Sequence, residues 1–445
     1  MALPGLSLPG LGQTSSTPSA QVENTIQASR TKNLQARTEW RFEVAFGQQY
    51  SIKLESGLAE LFGVELALKQ VYTFTGCKAA VLTWTGCQLE VTGNAESEYA
   101  GQETDYAVEW LNVYGMLETM RAQNQVDGPR VLVVGPDSVG KSSLVRSLAA
   151  WQVRSGHNPT VINLDSREGL LAPPSSLTAV TVDSQMEVDG GYGIAPMSGP
   201  TLSPVRAPLI YHFPWQSPLE KPDVYKAVIT RLALTVTNKL EDNHTTKRSG
   251  IIVDTPGSLN DPRSNYDLLA HIVSELSINI VLTIGSERLA SDLSQRFGSS
   301  KTPEETVTVI RVAKPGGAVE RDAGFSKELR KQQIRTYFFG PGNSLNPHSH
   351  SSPFDAIELF AAGGETSFEK TKPMPEMTGS LMAIKHCVGK SSADDVKVSA
   401  VKGYLFVAEV DELKRRVRFL APHPQTWGDR ALVLSQGWPE AVGDL

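Results

Sequence analysis

Val131-Leu132-Val133-Val134 runs through the chain without a polar break. An aliphatic run with no alternation is the pattern of a strand covered on both faces, as in a parallel sheet. Helical spacing follows it from Leu144 to Val153, and similar apolar runs recur at Thr160–Leu164, Gly250–Val253, Ile278–Ile284 and Val307–Val312. Helix candidates at Asp223–Leu240 and Tyr266–Leu276 lie among them. Strands alternating with helices predict an α/β fold built on a central doubly wound sheet.

The flanks carry a different rhythm. Glu39–Val44 and Tyr50–Leu54 alternate apolar and polar residues. Short runs at 72–74, 79–84 and 87–91 follow at roughly ten-residue spacing, punctuated by glycines, which predicts a small all-β sandwich ending near Thr92. Val113, Met116, Leu117 and Met120 then mark a helix over 106–122 that leads into the first central strand. Beyond Tyr337 the texture changes again. Gly340–Ser352 reads as loop, and strands at 403–410 and 414–420 predict a small C-terminal β domain. The expected organisation is a disordered arm over 1–30, a β-sandwich domain over 31–105, a P-loop domain over 106–336 and a β-rich domain over 337–445.

Composition narrows the picture only slightly. With 445 residues, 40% hydrophobic, the chain has room for two to four domains. A net charge of −6 argues against broad electrostatic binding of nucleic acid. Cys77, Cys87 and Cys387 form neither a disulfide framework nor a metal set, which fits a reducing compartment. No apolar run reaches the ~18 residues of a membrane span, and no signal peptide is expected.

The chemistry starts where the first central strand ends. Gly135-Pro136-Asp137-Ser138-Val139-Gly140-Lys141-Ser142-Ser143 contains G-x-x-x-x-G-K-S between a strand and a helix. This is a P-loop, which turns backbone N–H groups onto phosphate oxygens. Lys141 supplies a point charge, and Ser142 offers a hydroxyl to Mg²⁺. The chain is therefore expected to bind a nucleoside triphosphate. Asp165 and Asp254 end two other strands, where ligands of open α/β sheets collect. One would orient Mg²⁺ and the other act as a base, or each caps the next helix. Asp254-Thr255-Pro256-Gly257 copies a GTPase D-x-x-G, but no N-K-x-D follows to read guanine. Arg288 opens a charged helix and reads either as a phosphate lid or as a solvated face. Lys414-Arg415-Arg416-Val417-Arg418 reads either as a nuclear import patch or as an exposed strand.

Several separated stretches resemble the Clp-type subunit of the pre-mRNA cleavage and polyadenylation machinery. They are Gly63–Ala67, Lys78–Cys87, Gly128–Val131, the P-loop and Arg335–Gly340. Relatives of that family include polynucleotide 5′-hydroxyl kinases. The resemblance implies ATP and Mg²⁺ as ligands and an N-terminal β domain reaching over the nucleotide, with Glu39 and Lys78 at the pocket positions. It also implies a nuclear location. The implied partners are a cleavage-factor subunit that binds the RNA polymerase II C-terminal tail, other cleavage and polyadenylation factor subunits and, indirectly, pre-mRNA.

The departures from the kinases are informative. Active members follow the strand-end Asp with x-G-Q, where this chain reads Asp165-Ser166-Arg167-Glu168. They follow Tyr-His-Phe with G-x-T-T-P, where Tyr211-His212-Phe213 leads here into Pro214-Trp215-Gln216-Ser217-Pro218. Arg288 does match the lid position. The expectation is an ATP-binding scaffold needed for the cleavage step of 3′-end formation. The alternative is an RNA 5′-hydroxyl kinase using Lys141, Asp165 and Arg288. Glu168 would repel a transferring phosphoryl group unless Arg167 paired with it.

Overall fold

The computed structural model describes residues 29–169, 172–189, 208–298, 306–363, 368–424, 427–435 and 437–440. The arm expected over 1–30 lies almost wholly outside them, as does most of the Gly/Pro/Ser-rich connection leading to Pro208.

Two antiparallel sheets make the N-terminal sandwich. One orders its strands Arg30–Leu34, Cys87–Gly93, Tyr50–Gly57, Val71–Phe74. The other runs Val64–Glu65, Glu60–Leu61, Cys77–Thr83, Thr38–Val44, Ser97–Gly101. Tyr50, Ile52, Leu54, Leu89 and Val91 alternate inward as their period of two requires, and they meet Phe42 and Val81. Thr38–Val44 departs from that rule, because Glu39 and Arg41 on its other face are also buried, against the central domain. The sandwich gains a strand beyond Thr92, Ser97–Gly101, paired with Thr38–Val44.

The central sheet has seven strands in the order Leu209–His212, Ser176–Thr181, Thr160–Asn163, Ile251–Asp254, Arg130–Val134, Ile280–Ile284, Thr308–Val312. The last five are parallel, and the first two add antiparallel at one edge. Arg130–Val134 is central and feeds both faces. Val131 and Val133 pack with the helices Asp105–Gln123 and Lys141–Arg154. Leu132 and Val134 pack with Pro222–Glu241 and Asp267–Glu275. That two-sided burial is why its aliphatic run shows no alternation.

A seven-stranded, mostly antiparallel sheet makes the C-terminal domain. His348–Pro353, expected as loop, is its edge strand and pairs with Arg416–Ala421. An edge strand contacts one neighbour and little core, so its polar sequence gave no periodic signal. The basic stretch at 414–418 is a turn running into strand Arg416–Ala421, with its charged side chains exposed and given acidic partners, since Lys414, Arg415 and Arg418 pair with Asp411, Asp355 and Glu409. Helix Ala323–Phe339 joins the domains, because Tyr337 and Phe338 pack against Tyr404 and Phe406 of the sheet. No helix among the described residues is long and apolar enough to cross a membrane.

Candidate functional site

After Val134 the chain turns through Gly135 and reaches Gly140, whose φ of +94° starts helix Lys141–Arg154. A side chain on Gly135 would sit 2.5 Å from the Ile284 carbonyl oxygen, so only glycine fits between these strand ends. Lys141 arches back over the loop, and its Nζ donates to the Pro136 carbonyl at 2.6 Å. Behind the loop Asp254 is 2% exposed. Burial raises its pKa to about 7, against the lowering effect of a Ser142 hydrogen bond and of Lys141. Thr255 locks the arrangement, its hydroxyl donating to the Val133 carbonyl at 2.7 Å.

Beside the loop lies an arginine clamp that sequence reasoning placed differently. Arg167 does not pair with Glu168. Its Nε and Nη2 donate to the two oxygens of Asp165 at 3.1 and 2.9 Å, while Nη1 and Nη2 reach Asp137 of the P-loop at 2.9 and 2.7 Å. The Asp165 carboxylate also accepts the Arg167 backbone N–H at 2.9 Å. Two acids close to one guanidinium outweigh the attraction of an adjacent carboxylate in sequence. Glu168 instead pairs with Arg321 at 3.1 Å.

The sandwich supplies the opposite wall. Glu39 is 1% exposed; one oxygen accepts Arg41 Nε at 2.8 Å and the other accepts the Tyr106 hydroxyl. Lys78 pairs with Glu43 at 2.9 Å and sits over the Phe325 ring. Glu60 accepts indole N–H groups from Trp84 of the sandwich and Trp151 of the P-loop helix, at 3.2 and 3.3 Å. Its pKa is raised by burial, against those two hydrogen bonds. The C-terminal domain closes a third side. Arg330 makes a two-pronged pair with Glu440 at 2.7 and 3.1 Å and lies under the Trp438 ring.

These walls enclose a cavity of about 620 Å³. Glu39, Lys78, Ser138, Gly140, Lys141, Ser142, Ser143 and Asp165 all line it. Val139 and Asp254 stand behind the P-loop as its buried support. Arg288 is not brought to the cavity. It is 80% exposed and faces Asp292 on its own helix at 3.7 Å, so the solvated-face reading describes it. Sequence reasoning missed Asp137 and Arg167 as a pair, the aromatic wall of Tyr106, Trp110 and Trp151, and Glu440. Asp137 had a usable signal, since an acid inside a phosphate loop calls for a counter-charge. The aromatic residues had none, being spaced as ordinary helix core.

Three family profiles match in order along the chain. The N-terminal β-sandwich domain of polyadenylation factor covers 33–124, the mRNA cleavage and polyadenylation factor CLP1 P-loop covers 135–340, and pre-mRNA cleavage complex II protein Clp1 covers 345–440. The mRNA cleavage and polyadenylation factor clp1 of Botryotinia fuckeliana is 41% identical, over 99% of this chain and 100% of that one. The factor of the same name in Phaeosphaeria nodorum is 40% identical over 99% of each. Among solved structures, the wild-type Clp1p–Pcf11p complex superposes with a TM-score of 0.85 at 24% identity, covering 92% of this chain and 98% of that one. A second match, with the same score and coverage, concerns the extended interface between Pcf11p and Clp1p and the structural basis for ATP loss in a glycine-to-arginine point mutant. The chain belongs to the Clp1 family of mRNA cleavage and polyadenylation factors.

Proposed function

We propose that this chain is an ATP-binding structural subunit of a nuclear pre-mRNA cleavage factor, required for the cleavage step of polyadenylation-dependent 3′-end formation. One observation carries the reading: a single cavity is walled by Glu39 and Lys78 of the sandwich, by the P-loop, and by Glu440 of the C-terminal domain. A ligand held there touches all three domains, so its binding free energy also holds them together. The residues fit a nucleoside triphosphate with Mg²⁺. Gly135 keeps the cradle open, Lys141 and the P-loop N–H groups face anions, and Ser142 with Asp254 and Asp165 offers hard oxygen ligands. Mg²⁺ bound there would neutralise phosphate charge and favour the ionised form of Asp254.

The kinase alternative has less support. Both oxygens of Asp165, the candidate base, are engaged by Arg167, and the candidate lid Arg288 points away. Partner choice follows the solved Clp1p–Pcf11p complexes: docking of a Pcf11-type subunit, expected in turn to bind the polymerase II tail, is expected on the nucleotide-stabilised central domain. Alongside it stand other cleavage and polyadenylation factor subunits and, through them, pre-mRNA.

The test is denaturing extraction of the protein purified without added nucleotide. Intact ATP near one per chain is expected, and Lys141→Ala should lower occupancy and melting temperature together. Mostly ADP, or an empty site whose melting temperature ignores added ATP, would refute the reading. Transfer of labelled γ-phosphate to a 5′-hydroxyl oligoribonucleotide, lost in Asp165→Asn, would promote the kinase.

A further inference from the structure

The P-loop of this chain carries an acid of its own. Asp137 stands two residues after Gly135, inside a loop whose N–H groups and lysine create a field for anions. A carboxylate lining the phosphate cavity at that point repels a polyphosphate unless its charge is cancelled. Arg167 reaches both Asp137 oxygens, at 2.9 and 2.7 Å, and holds that carboxyl below its ordinary pKa. The Gly257 N–H adds a third bond, 3.0 Å to Asp137 Oδ1. Gly257 has to be glycine for this approach, since a Cβ there would lie 2.3 Å from the same oxygen. Arg167 is in turn braced from behind by Asp165. Two other loops therefore converge on one side chain of the P-loop.

We propose that Arg167 is the counter-ion that makes an acid-bearing P-loop compatible with a polyphosphate, a positioning residue for nucleotide retention acting through Asp137. The proposal rests on the ATP reading above. A unit charge left about 5 Å from phosphate oxygens at an effective dielectric near 20 weakens binding on the order of a hundredfold. Most of such a change falls in the dissociation rate.

The experiment is a double-mutant cycle on the full chain, loaded with α-labelled ATP and Mg²⁺ and chased with unlabelled ATP. Arg167→Gln should release ATP about a hundredfold faster than the natural chain. Asp137→Asn should release it no faster, and the Asp137→Asn/Arg167→Gln chain should recover to within about tenfold of the natural rate. Arg167→Lys, which keeps the charge without the fork, should fall between the natural chain and Arg167→Gln. A double variant as leaky as Arg167→Gln would show that the arginine acts elsewhere, and an unchanged Arg167→Gln rate would equally overturn the proposal. Should Arg167→Gln fail to fold, faster release from Asp137→Asn alone still overturns it, because removing the acid must not weaken retention. A natural chain that binds no ATP refutes the parent reading. One that binds tightly with an indifferent Arg167→Gln refutes the counter-ion alone.

Discussion

Replacing Lys385 by methionine should stabilise the protein, and most strongly at low pH. Lys385 lies on strand Leu381–Val388 and is fully buried, its Nζ donating to the Ser399 carbonyl at 2.8 Å. The titratable groups acting on it are Cys387 and, across the seam from the central domain, His212. Burial pushes the lysine pKa from 10.5 down to about 7. The folded state thus prefers the neutral amine, and between pH 7 and 10.5 the unfolded chain binds more protons. Stability tied to this group therefore rises with pH through that window, and the full penalty applies below pH 7. At 1.36 kcal/mol per pH unit, the difference sets a ceiling of about 5 kcal/mol. Local relaxation and loss of the Ser399 bond bring the expected gain for Lys385→Met at pH 6 to about 1–3 kcal/mol. His212 is also buried, and the Lys385 charge helps hold its pKa down, so replacing the lysine eases the acid penalty of the histidine too and adds to the gain at pH 6. The assay is the difference in urea unfolding midpoint between the two proteins at pH 6, 8 and 10. The gain should shrink towards zero by pH 10. A variant less stable at pH 6, or a gain that does not change with pH, would refute the argument.

Three other substitutions probe the walls of the cavity. Arg41→Met leaves the Glu39 carboxylate buried without its guanidinium partner, which should cost about 3–5 kcal/mol; thermal melting with and without ATP checks it, and an unchanged melting temperature would contradict it. Gly63→Val forces a side chain at φ +80° to within 2.8 Å of the Ser147 carbonyl oxygen of the P-loop helix. The strain of about 1–2 kcal/mol, plus the clash, should loosen the sandwich and speed proteolysis between 101 and 105, where it joins the central domain. Arg330→Leu removes the pair with Glu440 and should cost about 1 kcal/mol, less in high salt, with faster amide exchange over 437–440 as the local readout.

The strand-loop-helix of the P-loop was legible because its constraints are local: burial on both faces, a cradle needing glycine, and a lysine at fixed spacing. The antiparallel pair Ser176–Thr181 and Leu209–His212 was not. Its residues are all buried or nearly so, yet the first reads Ser-Leu-Thr-Ala-Val-Thr, whose hydroxyls look like surface. Arg167 illustrates the same limit in charge. Adjacency pointed to Glu168, whereas the fold brings Asp137, thirty residues back, into range. Glu39 and Lys78 were reached through resemblance alone, since a glutamate in an alternating strand looks solvated. Here that face meets a second domain.

The cavity's walls run along the chain from Glu39 to Glu440. While the protein is being synthesised, the sandwich and the P-loop sheet are complete long before Trp438 and Glu440 leave the ribosome. Contacts of such sequence separation form late. Closure of the pocket thus waits for the last of the three domains: a chain that has sealed it has brought Glu39, the P-loop and Glu440 together. Occupancy of that pocket would mark the subunits ready for assembly.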